Sequence, residues 1–216
     1  MSILGINDTY MIDEDVEAWL KYPDYRNWFN KLFVADFFGN KCGPASTPIP
    51  KDGWYIIRPT YNLAGMGAGA KISYYKKNNI PSIPAGYFWC EVYEGNHYSI
   101  DYERTGKYLV QTECFQGFNE RENLTQFSKW IRTDKQYALP ACLYSLDVEK
   151  LNIEIIGDKI IEVHFRGGFD NMKNYNELYP VFENIHYNGP KFLTWFPLEA
   201  DGNGEIPNKR LGYYVR

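Results

Sequence analysis

A basic excess is missing from this chain. Its 216 residues carry 23 Lys and Arg against 27 Asp and Glu, a formal charge of -4, whereas a protein whose main business is coating nucleic acid needs a basic stripe. Nucleic acid is therefore not the expected partner, although a local basic groove stays open. Cysteine is scarce as well. Cys42, Cys90, Cys114 and Cys142 are widely spaced and form no C-x-x-C pair, which speaks against a zinc knuckle or a disulfide framework and fits reduced thiols in the cytosol. No apolar run approaches the roughly 18 residues of a membrane-spanning helix. The opening MSILGINDTYMIDEDVEAW lacks the basic and then apolar stretches of a signal peptide. A soluble, cytoplasmic protein without a membrane partner is expected. No Cys-His or Ser-His-Asp constellation stands out, so a covalent nucleophile is not expected either.

What the chain does have is core-forming material. Hydrophobic residues make up 44% and aromatics 18%, enough to fold without staples. No internal repeat or low-complexity linker divides it, so residues 1–216 read as one compact unit. The first 40 residues read as helical: Asp13, Glu14 and Asp15 open one segment, and Asn30 caps KLFVADFF, which Gly39 ends. Breakers in KCGPASTPIPKDG lead into the strand YIIRP. The runs YFWCEVY and HYSIDY, separated by Glu94-Gly95-Asn96, predict a hairpin. Thr105-Gly106-Lys107 turns into the strand KYLVQTECF. The spacing of Leu124, Phe127 and Trp130 or Ile131 predicts a helix over Asn119–Arg132, and a second short helix fits Leu143–Leu151. NIEII and KIIEVHFR are strands around Gly157-Asp158. After Arg166 the chain reads as irregular until a last strand, RLGYYV.

Two stretches carry candidate chemistry. WYIIRPTYNLAGMGAGAK sets a β-branched strand against a glycine-rich loop between Arg58 and Lys71. Such a loop can bring backbone N–H groups close to a polyphosphate, or it can be a flexible hairpin. In KIIEVHFR, alternation puts Ile161, Val163 and Phe165 on one face and Glu162, His164 and Arg166 on the other. Keeping the faces of the two strands consistent requires a three-residue turn or a bulge, which aligns Glu154 opposite Glu162. Carboxylates so paired repel unless a cation lies between them. A magnesium ion carried by nucleotide phosphates would serve, and so would ordinary surface ion pairs.

In order and spacing these segments resemble the ATP-grasp superfamily, the fold of carboxylate-amine ligases and biotin-carboxylase-type enzymes, over roughly Asn30 to Gly168. The resemblance implies an α+β fold of two interwoven lobes with antiparallel sheets enclosing a nucleotide cleft. One lobe would span about residues 30–105 with the glycine-rich loop and hinge; the other, residues 106–216, would hold the metal and close the cleft. NKLFVADFFGNKCGP is similar to the family's phosphate-lysine helix, which implies that role for Lys31. YIIRPTYNLAGMGAG resembles the family's strand and mobile loop, with Arg58 where a lysine is usual, and implies that Gly65, Gly67, Gly69 and Lys71 lie over the phosphates. FWCEVYEGNHYSIDY resembles the hinge and implies Glu91 and the backbone near Tyr93 at the adenine, with His97 near the ribose. NIEIIGDKIIEVHFR is similar to the metal strands. It implies Glu154, Glu162 and His164 as metal ligands, His164 standing at the usual asparagine, and Arg166 beside Arg58 as a catalytic cation.

ATP and Mg²⁺ are the implied cofactors. The implied reaction joins a small-molecule or peptide carboxylate to an amine through an acyl phosphate, with cations neutralising the transferred phosphoryl group. A nucleotide- or protein-binding module without turnover is the alternative. A nucleic-acid-processing accessory protein that stacks bases on its aromatics is a third. The Asn-, Lys- and aromatic-rich composition also resembles that of a bacteriophage protein.

Overall fold

The computed structural model describes residues 15–61, 63, 67, 69–119, 124, 126–168, 172–182, 191–194 and 210–216. Helical segments come first, as expected: α1 (Asp15–Lys21), a 3-10 helix (Pro23–Phe29) and α2 (Lys31–Phe37). The Asn30 side chain accepts the Phe33 N–H at 2.9 Å, satisfying one of the open donors of the first turn of α2. Gly39, at φ 70°, lets the chain leave the helix in the left-handed region.

Strands β1 (Cys42–Pro44), β2 (Gly53–Pro59), β3 (Lys71–Tyr75) and β4 (Tyr87–Glu91) form one antiparallel sheet in the order β1-β4-β2-β3. The second sheet holds β5 (His97–Thr105), β6 (Tyr108–Phe118), β7 (Lys129–Arg132), β8 (Lys150–Ile156), β9 (Lys159–His164), β10 (Glu177–Phe182), β11 (Lys191–Thr194) and β12 (Arg210–Val215). Its order is β11-β12-β10-β7-β6-β5-β8-β9, all antiparallel, and a one-turn α3 (Ala141–Tyr144) lies between β7 and β8. The fold is α+β, built on two antiparallel sheets.

Helix α2 is shared between the sheets. Its Ala35 packs on Phe88 and Cys90 of the first. Its Val34 belongs to the larger cluster that holds Ile100, Ile153, Val163 and Phe165 of the second. The opposite face of the first sheet buries Ile49, Tyr55, Ile57 and Trp89. The N–H of Lys31 donates to the Thr60 carbonyl at 2.8 Å, which ties the start of α2 to the end of β2.

Several expectations are corrected. YFWCEVY and HYSIDY do not form a hairpin: β4 pairs β1 and β2, and β5 pairs β6 and β8. The Glu94-Gly95-Asn96 turn instead carries the chain from one sheet to the other. Gly95, at φ 115°, lies so close to the β8–β9 turn that a Cβ would stand 2.8 Å from the Gly157 Cα. The helix expected over Asn119–Arg132 is replaced at its C-terminal end by strand β7. Its Trp130 is buried with Phe115, Leu178 and Tyr213, and this non-local packing overrides the three-residue spacing that suggested a helix. The helix expected over Leu143–Leu151 shrinks to α3, because β8 begins at Lys150. β10 and β11 were not expected. Pro180 argues against a strand, yet it sits past Leu178, the last residue paired with β7, where β10 has β12 as its paired neighbour. The Asp201-Gly202-Asn203-Gly204 turn lies outside the described residues.

Candidate functional site

The expected cross-strand carboxylate pair is present. Glu154 is the register partner of Glu162, and the fit is made by a two-residue turn with a bulge between Glu154 and Ile155. Bulge and faces together turn Glu162 toward α2 and β2.

Two cations from separate elements meet on that carboxylate. Lys31 Nζ lies 2.5 Å from Glu162 Oε2, and Arg58 Nη1 donates to Oε1 at 3.1 Å. All three side chains are largely shielded, with exposures of 7%, 9% and 14%. Arg58 Nη2 also donates to the Ile161 carbonyl at 2.8 Å, and its guanidinium lies over the Phe88 ring at 5.4 Å. Its buried Nε has no hydrogen-bond partner among the described residues.

The network continues through His164. Its Nε2 is 3.2 Å from Glu162 Oε2 and its Nδ1 is 2.9 Å from Asp15 Oδ1. Arg166 closes on the same Asp15, with Nε at 3.0 Å from Oδ1 and Nη2 at 3.2 Å from Oδ2. Asp15 opens α1 and is buried at 2% exposure. Burial pushes its carboxyl up, but Arg166 and His164 outweigh that and hold it well below the ordinary range. Burial would lower His164, yet Asp15 carries it up to about 9. Glu162 is pushed up by burial and held well below its usual value by Lys31, His164 and Arg58. At neutral pH the set is a chain of paired full charges.

Glu154 is tied elsewhere. It receives His97 Nε2 at 3.0 Å; burial pushes its carboxyl up, but this hydrogen bond leaves it lowered. The His97 ring stands edge-on to Phe127 and Trp130, at 4.9 and 5.5 Å between centroids. Glu91 faces Lys41, 3.9 Å from its Nζ. Tyr93 packs beside Ala35, Phe88 and Cys90, and burial pushes its phenol up. Lys71 is exposed at the start of β3. Gly67 and Gly69 have φ of 58° and 79°, conformations that suit glycine, and Gly65 lies outside the described residues.

These residues do not form a magnesium site as they stand. Both Glu162 oxygens are engaged, and a protonated His164 has no lone pair to offer a metal. No group of three His, Cys, Asp or Glu among the described residues could hold a metal ion. In this structure His164 bridges Asp15 and Glu162. Asp15 itself was missed: in sequence it is one of three acids opening a helix, which reads as a helix-dipole preference.

A small recess is lined by Asp15, Phe29, Lys31, Leu63, Glu162 and His164, among others.

No family model matches the chain. It is 26% identical over 129 residues to an endochitinase of Brugia malayi, a stretch that is 56% of this chain and 25% of that protein. The chain spans about a quarter of that curated relative. Among solved structures it is similar to an ATP-grasp superfamily candidate from Archaeoglobus fulgidus, with a TM-score of 0.49, 8% identity, and coverage of 88% of this chain and 64% of that one. An L-amino acid ligase from Bacillus licheniformis gives 0.43 at 11% identity, covering 68% and 43%. The ATP-grasp ligase PsnB complexed with minimal precursor gives 0.39 at 10% identity, covering 70% and 56%. At these scores the likenesses carry no mechanism over to this chain.

Proposed function

We propose that the chain binds the polyphosphate of a nucleotide, ATP by the resemblance of its motifs, and acts as an ATP-grasp-type ligase that joins a carboxylate to an amine through an acyl phosphate. One observation carries this reading: Lys31 and Arg58, from different elements, converge on the Glu162 carboxylate at the junction of the two sheets. An entering phosphate competes with Glu162 for both cations. Arg58 meets it with a planar donor fork and Lys31 with a point charge. The glycine-rich segment between β2 and β3, containing Gly65, Gly67 and Gly69, covers the phosphates, and Arg166 lies one step behind, held by Asp15. The nucleoside lies toward the crossing, near Glu91, Tyr93 and His97.

Magnesium has no preformed seat among Glu154, Glu162 and His164, so no step is assigned to it. The same closed network supports a second reading, nucleotide binding without turnover. Release of ADP in the presence of a panel of amino acids and short peptides tests the ligase directly. Acceptor-dependent ADP supports it, and binding without ADP release supports the second reading.

A further inference from the structure

The outer hairpin of the first sheet has surface features that, Lys71 apart, the nucleotide reading does not use. Trp54 of β2 and Tyr74 of β3 are register partners, stand edge to face at 5.5 Å between centroids, and are 61% and 51% exposed. The next pair on that face is Ile56 with Ile72, the latter 40% exposed. β3 is the edge of its sheet and pairs β2 alone among the described strands. Between residues 51 and 77 the chain has four lysines and Arg58 against the single acid Asp52, inside a protein of charge -4. Lys71, Lys76 and Lys77 are all exposed, at the two ends of β3. An edge strand flanked by lysine is also how proteins discourage edge pairing. That purpose does not call for an exposed Trp, Tyr and Ile on the adjoining face.

We infer that this hairpin is a docking platform for an acidic peptide in extended conformation, added to β3 as a further strand. The open backbone groups of β3 supply main-chain hydrogen bonds. Trp54, Tyr74 and Ile72 take apolar side chains of the peptide, and Lys71, Lys76 and Lys77 its carboxylates. A polynucleotide could use the lysines and rings but would leave the strand edge and the isoleucines without a role. The Lys71 end of β3 lies opposite Ile57, one residue from Arg58, so a peptide strand bound there runs toward the candidate cleft. The inference stands apart from nucleotide binding, because it needs no nucleotide.

Fluorescence anisotropy tests it, with a labelled alternating Glu-Val peptide, a Lys-Val control and oligothymidylate, all in the absence of nucleotide. Hydrogen exchange is read at residues 71–75 in parallel. The Glu-Val peptide binds, the Lys-Val peptide does not, and the β3 amides slow their exchange. The double charge reversal Lys76→Glu with Lys77→Glu weakens binding about tenfold or more. It changes exposed side chains alone and leaves the fold intact. Failure of the Glu-Val peptide to bind overturns the inference, as does binding that survives the charge reversals or leaves β3 unprotected. Oligothymidylate binding in its place makes the surface a nucleic-acid platform and equally overturns it.

Discussion

Replacing Glu162 by Gln keeps the shape of the side chain and removes the charge on which Lys31, Arg58 and His164 converge. Removing one partner of a buried ion pair costs about 3–5 kcal/mol. The lower end applies here, because Arg58 keeps the Ile161 carbonyl and His164 keeps Asp15. For a chain of this size a loss of about 3 kcal/mol lowers the melting temperature by roughly 6–12 °C. The informative part is the rescue. In the native protein an incoming polyphosphate must displace Glu162 from its cations; in Glu162→Gln that competitor is gone. Tripolyphosphate or ATP, added with EDTA to exclude metal, therefore raises the melting temperature of the variant by more than it raises that of the native protein. A ligand at 100 times its dissociation constant stabilises by about 2.7 kcal/mol, so the difference is within reach of differential scanning fluorimetry. A variant that loses less than about 1 kcal/mol, or gains no more from polyphosphate than the native protein does, refutes the reasoning.

Other outcomes follow from the same geometry. Phe165, buried among the rings of Tyr22, Tyr25 and Phe29, costs about 3–5 kcal/mol when cut to Ala, measured by urea denaturation. His164 is raised from 6.5 to about 9 on folding, so its contribution is complete below pH 6.5 and lost as pH rises through 9. Its size is on the order of 3 kcal/mol, and His164→Gln should flatten the decline in stability measured between pH 6 and pH 10. A Cβ on Gly168 would stand 2.8 Å from Asn152 Nδ2 and 3.2 Å from Asp101 Oδ1, inside a buried network in which Asp101 also accepts the Gly168 N–H. Gly168→Ala should destabilise by about 1–3 kcal/mol, seen as a lower urea midpoint.

What could be read from sequence was local and periodic. Alternation in KIIEVHFR separated Val163 and Phe165 from Glu162 and His164, and consistent faces across Gly157-Asp158 required a three-residue turn or a bulge to set Glu154 opposite Glu162; the bulge is what forms, and it gives the next core position to Ile160 instead of Ile161. The Asn30 cap and the strand RLGYYV were legible for the same reason, since neighbouring residues decide them. Choices of distant partner were not. The Glu94-Gly95-Asn96 turn carries a hairpin signal, but β4 finds better partners in β1 and β2, and nothing nearby in the chain records that. Trp130 is drawn into a strand by Phe115, Leu178 and Tyr213. Asp15 becomes a site residue only because α1 lies over the end of β9, where burial without His164 and Arg166 would be prohibitive. His164 could be assigned to the polar face, but whether it would meet a metal or two carboxylates depended on that unseen partner.

The account rests on Lys31 and Arg58 as the cations that receive a nucleotide's phosphates. Isothermal titration of ATP, tripolyphosphate and adenosine into the native protein and into Lys31→Ala tests this most directly. Lys31→Ala leaves Glu162 paired with Arg58 and His164, so the fold is retained. ATP and tripolyphosphate bind the native protein, adenosine binds far more weakly, and Lys31→Ala loses about tenfold or more in affinity for the two phosphates, as expected for loss of a charge-assisted contact. Absence of ATP binding to the native protein, or equal affinity in Lys31→Ala, would contradict the account.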